Sequence, residues 1–157
     1  MHELSHPIHI IGKALRTSND NGRAFTEIPI HWEQFMKNNT KEKIPNRMDD
    51  DIYAVYTHFE NAGKNNRGLY TLIIGCRVTN HNKPPNGFDS VIIPAGKYRV
   101  FTVEPGRFDK VGDAWKNIWA IPENEKKNWS FNCEFERYQS SGEIDIFIGL
   151  KEEALEK

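Results

Sequence analysis

Acidic and aromatic side chains share one face of the last β-hairpin that the sequence predicts. Glu134, Glu136 and Tyr138 alternate with apolar residues along its first strand, and Phe147 lies on the corresponding face of its second strand. Carboxylates attract a cation by charge, and aromatic rings attract it through their quadrupole. The pattern therefore predicts a binding site for an apolar cation. The alternative is that the two glutamates are only solvated on the sheet surface.

The other face of this hairpin is apolar. It carries Cys133 and Phe135 on the first strand and Ile144, Ile146 and Ile148 on the second. The apolar face of a sheet packs against the helices in a small α+β domain. We therefore expect this face to meet the helices and the acidic face to point away from them.

The elements that position this hairpin repeat along the chain. The first half has the pattern of a strand, a helix and two strands over residues 7–15, 28–38, 52–59 and 69–78. The second half has the same order over residues 97–104, 111–119, 131–138 and 143–150. Gly75 of the first half aligns with Gly149 of the second, so the halves are predicted to be structural repeats.

These repeats predict the fold class. One strand-helix-strand-strand unit leaves an apolar sheet face and an apolar helix stripe uncovered, and two units can share a core when they pack about a pseudo-twofold axis. We therefore predict a duplicated α+β fold with an antiparallel sheet and a ligand groove at the junction of the units. A single domain is expected over residues 1–157, with repeat one at about 7–79 and repeat two at about 90–151.

Further aromatic residues are candidates for lining the groove, because the helix edges and the strands after the helices approach the junction. They are Tyr53, Tyr56, Phe59, Trp115 and Trp119. Trp32 and Phe35 lie on the apolar stripe of the first helix and are predicted to be core residues.

Composition and charge exclude several classes of protein. The 157 residues carry 21 basic and 22 acidic side chains, so no positive field favours nonspecific nucleic-acid binding. No apolar run approaches the roughly 18 residues of a membrane span. We expect a cytoplasmic protein without membrane or direct nucleic-acid contacts. His2, His6 and His9 lack an acidic partner, and neither a metal nor a cofactor is expected.

Several short motifs occur in a distinctive order. They are IPIHWEQF in the first helix, VIIPAGKY at residues 91–98, Trp115 in the second helix and FERY at residues 135–138. From about residue 8 to residue 151, their order and spacing resemble the GyrI-like family. That family comprises the effector-binding domains of AraC-type and MerR-type regulators and their stand-alone relatives, including ones carried on mobile integron cassettes.

The resemblance implies a function as well as the duplicated fold. Glu136 matches a family glutamate near the floor of the groove, which attracts cationic, aromatic and often drug-like molecules. The family's regulators carry a helix-turn-helix segment before this domain, whereas here the domain begins within a few residues of Met1. The leading hypothesis is thus a stand-alone protein that binds cationic amphipathic compounds. It would sequester the ligand or sense it through a regulator or another protein.

Other functions remain open at this point. Some GyrI-like proteins are hydrolases of strained electrophilic rings, for which Glu136 would be the general base and Tyr138 a hydrogen-bond donor. Others inhibit DNA gyrase, for which a surface patch would matter more than the groove. A haem-binding role would need an axial ligand, and no histidine falls on the predicted groove face of the second half.

Overall fold

The computed structural model describes residues 2–79 and 83–152. Eight strands and two α-helices occur within these residues. In chain order they are β1 (His2–Leu4), β2 (Ile8–Ser18), α1 (Arg23–Lys37), β3 (Ile52–Thr57), β4 (Leu69–Arg77), β5 (Asp89–Ile93), β6 (Gly96–Val103), α2 (Val111–Trp119), β7 (Trp129–Tyr138) and β8 (Ile144–Leu150). Within the part of the chain that is described, neither helix is long and apolar enough to cross a membrane.

The strands form one antiparallel sheet whose order reveals the duplication. The order is β1-β6-β8-β7-β3-β4-β2-β5. Outward from the central β7–β3 pair, the strands β8, β6 and β1 on one side correspond to β4, β2 and β5 on the other. One unit is β2-α1-β3-β4 and the other is β6-α2-β7-β8. The predicted α+β fold of two strand-helix-strand-strand units is confirmed.

The strand register supports the same symmetry. Val55 of β3 pairs with Phe135 of β7 at the centre of the sheet. Gly75 lies two residues beyond the β4 partner of Val55, and Gly149 lies two residues beyond the β8 partner of Phe135. The two glycines therefore occupy equivalent positions in the two units, as their alignment in the sequence predicted.

Each of two short strands pairs with the unit that it does not precede in the chain. β1, which precedes the first unit, pairs with β6 of the second, and β5, which precedes the second unit, pairs with β2 of the first. Neither β1 nor β5 was predicted from the sequence, because segments of three and five residues are too short for a clear period-two pattern. They tie the two units together at both edges of the sheet.

Helix α1 begins earlier than its predicted start at residue 28. It runs from Arg23 to Lys37, which places Pro29 inside it. An interior proline removes a hydrogen bond and costs about 3 kcal/mol. The helix continues through Pro29 because it buries Ala24 before the proline and Phe35 after it.

Apolar residues cover both faces of the sheet. The face beneath the helices, which we call the helix face, packs Phe35 and Trp115 against sheet residues such as Leu72 and Ile146. The opposite face carries a second cluster that includes Tyr53 and Phe135, so the prediction that Tyr53 lines the groove is wrong. Because the sheet is buried on both faces, apolar residues alone do not show which face of a strand meets the helices.

The orientation predicted for β7 is wrong for this reason. Glu136 pairs with Ile146, and Glu134 pairs with Ile148. Directly paired residues of neighbouring strands point to the same side. The acidic face of β7 is therefore the helix face, whereas Phe135 packs on the opposite side of the sheet.

Candidate ligand-binding cavity

A cavity of about 700 Å³ lies between the helix face of the sheet and the two helices. Both units contribute to its wall, so it occupies the junction where the groove was predicted. Seven of the nine predicted site residues line it, and these are Tyr56, Phe59, Trp115, Trp119, Glu134, Glu136 and Tyr138.

Apart from Tyr53, Phe147 is the exception, and its predicted place beside Glu136 is wrong. It pairs with Phe135 across the last hairpin and shares that residue's face of the sheet. The two rings stack with their centroids 4.3 Å apart and an interplanar angle of 7°. Phe147 is thus a core residue on the side of the sheet away from the cavity.

The carboxylate of Glu136 is buried in the cavity wall and accepts three hydrogen bonds. Its Oε2 atom accepts from the Tyr56 hydroxyl at 2.7 Å and from Trp115 Nε1 at 2.5 Å. Its Oε1 atom accepts from the Tyr138 hydroxyl at 2.5 Å. These donors lie on β3, α2 and β7, so elements of both units hold this one side chain in place.

Burial and hydrogen bonding act on the Glu136 charge in opposite directions. Burial raises the pKa of Glu136 above its ordinary value, while the bonds from Tyr138, Trp115 and Tyr56 lower it. Burial and the neighbouring Glu136 raise the pKa of both Tyr56 and Tyr138, so their hydroxyls stay protonated as donors. The three donors thus partly replace the water that Glu136 has lost.

Glu134 lies two residues earlier on the same face of β7, and its carboxylate has very different surroundings. It is 3% exposed and lines the cavity. Among residues 2–79 and 83–152, no group donates a hydrogen bond to its carboxylate. Burial raises the pKa of Glu134 to about 7, and the charge of Lys126 opposes this shift. Its ionised form therefore lacks the stabilisation that Glu136 receives.

Aromatic rings form much of the remaining wall. The rings of Tyr56 and Trp115 meet edge to face at 5.3 Å, and those of Trp115 and Trp119 lie 5.9 Å apart. The indole N–H of Trp119 is buried, and no partner for it is found in the described part of the chain. Trp119 therefore leaves a donor for a ligand acceptor.

Trp32 also belongs to this wall, although the sequence analysis placed it in the core. It is half-buried and lines the cavity, with its ring 5.0 Å from that of Tyr138. Trp32 aligns with Trp115 of the second unit, and both tryptophans face the junction. Phe35 is 2% exposed, which confirms its predicted place in the core.

Several apolar residues of the cavity were not predicted from the sequence. Phe25, Met36 and Phe108 line it although they are 56%, 60% and 64% exposed, so they form its solvent-facing part. Phe25 and Met36 lie on the apolar stripe of α1, and exposed apolar residues on such a stripe are a signal for a ligand site. Tyr70 was missed as well, because it resembles an ordinary strand residue of β4.

Comparison with known proteins identifies the family. The model of the Cass2 family, described as integron-associated effector binding protein, matches residues 5–150. The chain belongs to this family. The match spans both units and the whole cavity wall, and it confirms the resemblance to effector-binding domains.

Individual relatives agree with this assignment. The candidate transcriptional regulator YobU of Bacillus subtilis (strain 168) is 26% identical over an alignment of 164 positions, and this alignment covers 94% of this chain and 98% of YobU. The integron cassette protein VCH_CASS2 of Vibrio cholerae has a TM-score of 0.70 at 22% identity over 94% of this chain and 93% of its own. The structure of SAV2435 bound to tetraphenylphosphonium has a TM-score of 0.74 at 14% identity, over 96% of this chain and 94% of its own. These structures share the fold.

The different environments of the two glutamates predict a pH-dependent stability effect. Because the folded-state pKa of Glu134 is raised to about 7, its ionisation destabilises the fold as the pH rises above the unfolded-state value. Glu134→Gln is therefore expected to raise the free energy of unfolding at about pH 8 by about 3 kcal/mol, and to have little effect near pH 5. Urea unfolding at both pH values measures this difference.

The matched control is Glu33→Gln on the exposed surface of α1. This change is expected to leave the free energy of unfolding within about 0.5 kcal/mol of the wild type at both pH values. A Glu134→Gln variant that is less stable than the wild type at pH 8 would show that the Glu134 carboxylate is stabilised by a partner.

Proposed function

We propose that this protein is a stand-alone small-molecule-binding protein for cationic, amphipathic aromatic compounds. The ligand occupies the cavity at the junction of the two units, with the Glu136 carboxylate in its wall. The observation that carries this proposal is a buried, hydrogen-bonded carboxylate within a largely aromatic cavity. Such a site offers a cation both charge attraction and ring faces.

The charges along the cavity favour a cation. Three acidic residues line the cavity, and these are Glu134, Glu136 and Asp50. Among the described residues that line it, Lys41 is the one basic residue. The Lys41 ammonium donates to the Asp50 carbonyl at 2.9 Å and lies 3.7 Å from the Asp50 carboxylate. Since Lys41 and Asp50 offset each other, the ionised forms of the two glutamates leave an excess of negative charge for the ligand.

The aromatic content of the wall supports an aromatic ligand. Nine aromatic residues line the cavity, and these are Phe25, Trp32, Tyr56, Phe59, Tyr70, Phe108, Trp115, Trp119 and Tyr138. Aromatic rings stack with rings of a ligand and attract its charge. A protein of the same fold, SAV2435, has been solved with tetraphenylphosphonium, which is a large aromatic cation.

The hydrogen bonds of Glu136 support binding over general-base catalysis. Glu136 and Tyr138 are in direct contact, as the hydrolase alternative requires. However, Tyr138 and two further donors occupy three of the roughly four acceptor positions of the carboxylate, which leaves little capacity for it to take a proton from a substrate or a water. Binding needs the charge of Glu136, whereas a general base needs a free lone pair.

Two relatives show that this domain can occur by itself. The match covers 98% of YobU and 93% of the VCH_CASS2 chain, so these proteins consist of little besides the same domain. We propose that the protein sequesters its ligand or senses it through another protein, a regulator included.

A thermal-shift series tests the proposed function. Cationic, neutral and anionic aromatic compounds of similar size are compared at equal concentrations. A ligand at 100 times its dissociation constant stabilises the folded state by about 2.7 kcal/mol, which corresponds to about 5–10 °C in a domain of this size. Cations are expected to give such shifts and anions none. Equal shifts for cations and anions would contradict the proposal.

A further inference from the structure

We propose that Glu134 accepts an N–H hydrogen bond from the ligand, so that the cavity selects protonated amines over quaternary cations. This inference rests on the proposed function, because it assumes that the cavity binds cations. It assigns different roles to two glutamates that lie two residues apart on one strand.

Glu136 has little capacity to accept a bond from the ligand. Three donors already occupy its two carboxylate oxygens, and they come from Tyr56, Trp115 and Tyr138. A carboxylate has about four acceptor positions, so three donors leave about one of them free. Glu136 therefore contributes charge to the whole cavity, and this attraction acts on any cation regardless of its hydrogen atoms.

Glu134 has the opposite properties. Its carboxylate is nearly fully buried in the cavity wall, and it receives no hydrogen bond from the described residues. A buried carboxylate without donors is costly, and a charge-assisted N–H bond relieves that cost more strongly than a neutral one. A protonated amine brings both the charge and the donor, whereas a quaternary ammonium or phosphonium brings only the charge.

The potential donors around Glu134 are engaged elsewhere. Tyr56 is its direct partner on β3, but the Tyr56 hydroxyl donates to Glu136. The Tyr70 hydroxyl donates to the Asn19 side chain at 2.7 Å. The Lys126 ammonium donates one of its three hydrogens to the Trp119 carbonyl at 2.8 Å, and within the described residues it acts on Glu134 through its charge and not through a hydrogen bond. The acceptor positions of Glu134 are thus left for a group that enters the cavity.

The test uses two cations that differ in one methyl group. Protonated dimethyl(diphenylpropyl)amine carries an N–H donor, and its trimethylammonium analogue carries none. Calorimetric titrations at about pH 8 compare the two ligands, because an alkylamine is still protonated there while Glu134 is ionised. Diphenylpropanol is the neutral control of similar shape.

The wild type is expected to bind the protonated amine on the order of tenfold to a hundredfold more tightly than the quaternary ion, as a charge-assisted bond implies. In Glu134→Gln this preference is expected to fall below about threefold, since a neutral amide accepts more weakly. In Glu136→Gln both cations are expected to weaken together, and the preference is expected to persist.

Two results would overturn the assignment of Glu134. One is equal wild-type affinity for the two cations while diphenylpropanol binds more weakly, which needs no variant, and the other is a preference that survives in Glu134→Gln. Failure of the proposed function gives a different result, in which diphenylpropanol binds as tightly as both cations or none of the three binds. Circular dichroism shows that each variant is folded before it is titrated.

Discussion

Gly12→Ala is expected to prevent stable folding, with a loss of more than about 4 kcal/mol in the free energy of unfolding. Gly12 of β2 pairs with Gly75 of β4. A Cβ atom on Gly12 would lie 2.1 Å from the Ile74 carbonyl oxygen, and one on Gly75 would lie 2.1 Å from the Ile11 carbonyl oxygen. Both obstacles are backbone atoms inside a sheet, so this overlap is relieved only if the two strands move apart. Circular dichroism and urea unfolding measure the loss.

Gly112→Ala in α2 is the matched control. A Cβ atom at this position would meet no heavy atom within 4 Å. Alanine favours a helix over glycine by about 0.8–1.0 kcal/mol, so this variant is expected to be slightly more stable than the wild type. A Gly12→Ala variant within about 1 kcal/mol of the wild type would contradict the close approach of β2 and β4.

Glu136→Gln is expected to weaken the binding of tetraphenylphosphonium tenfold to a hundredfold, or about 1–3 kcal/mol. The substitution removes the charge with little change in volume. The glutamine oxygen can accept the bonds that Tyr56 and Trp115 now donate to Oε2, and the amide can donate to the Tyr138 oxygen. The cavity should therefore keep its shape. Tryptophan fluorescence follows the titration, because tryptophans line the cavity.

The control for this prediction is again Glu33→Gln, which removes the same charge from the exposed face of α1. Its affinity for tetraphenylphosphonium should stay within about twofold of the wild type, because solvent screens an exposed charge. If Glu136→Gln also stays within this range, Glu136 has no part in selecting the ligand by charge.

The duplication could be predicted from the sequence because its signal is spread over many residues. The change from period-two to helical spacing occurs twice in the same order, and Gly75 and Gly149 fall at equivalent places. The orientation of β7 could not be predicted in this way. Phe135 and Glu136 are both buried on opposite faces of that strand, so hydrophobicity does not distinguish the two sides.

The residues of the site were easier to predict than the hydrogen bonds between them. Glu136 was found from strand alternation and from the family resemblance, but its donor Tyr56 is 80 residues away in the chain. The contrast between Glu136 and Glu134 depends on where Tyr56, Tyr70 and Lys126 direct their donors. Such directions follow from the register of β3, β4 and β7 and from the packing of α2, which the sequence pattern does not specify.

Calorimetric titration of the wild type with tetraphenylphosphonium and tetraphenylborate tests the central claim most directly. The two ions have nearly the same shape and opposite charge, so shape and apolar area cancel in the comparison. Since an anion would face two buried carboxylates, we predict that the phosphonium binds at least about 100-fold more tightly than the borate. Equal affinities, or tighter binding of the borate, would contradict selection of cations by this cavity.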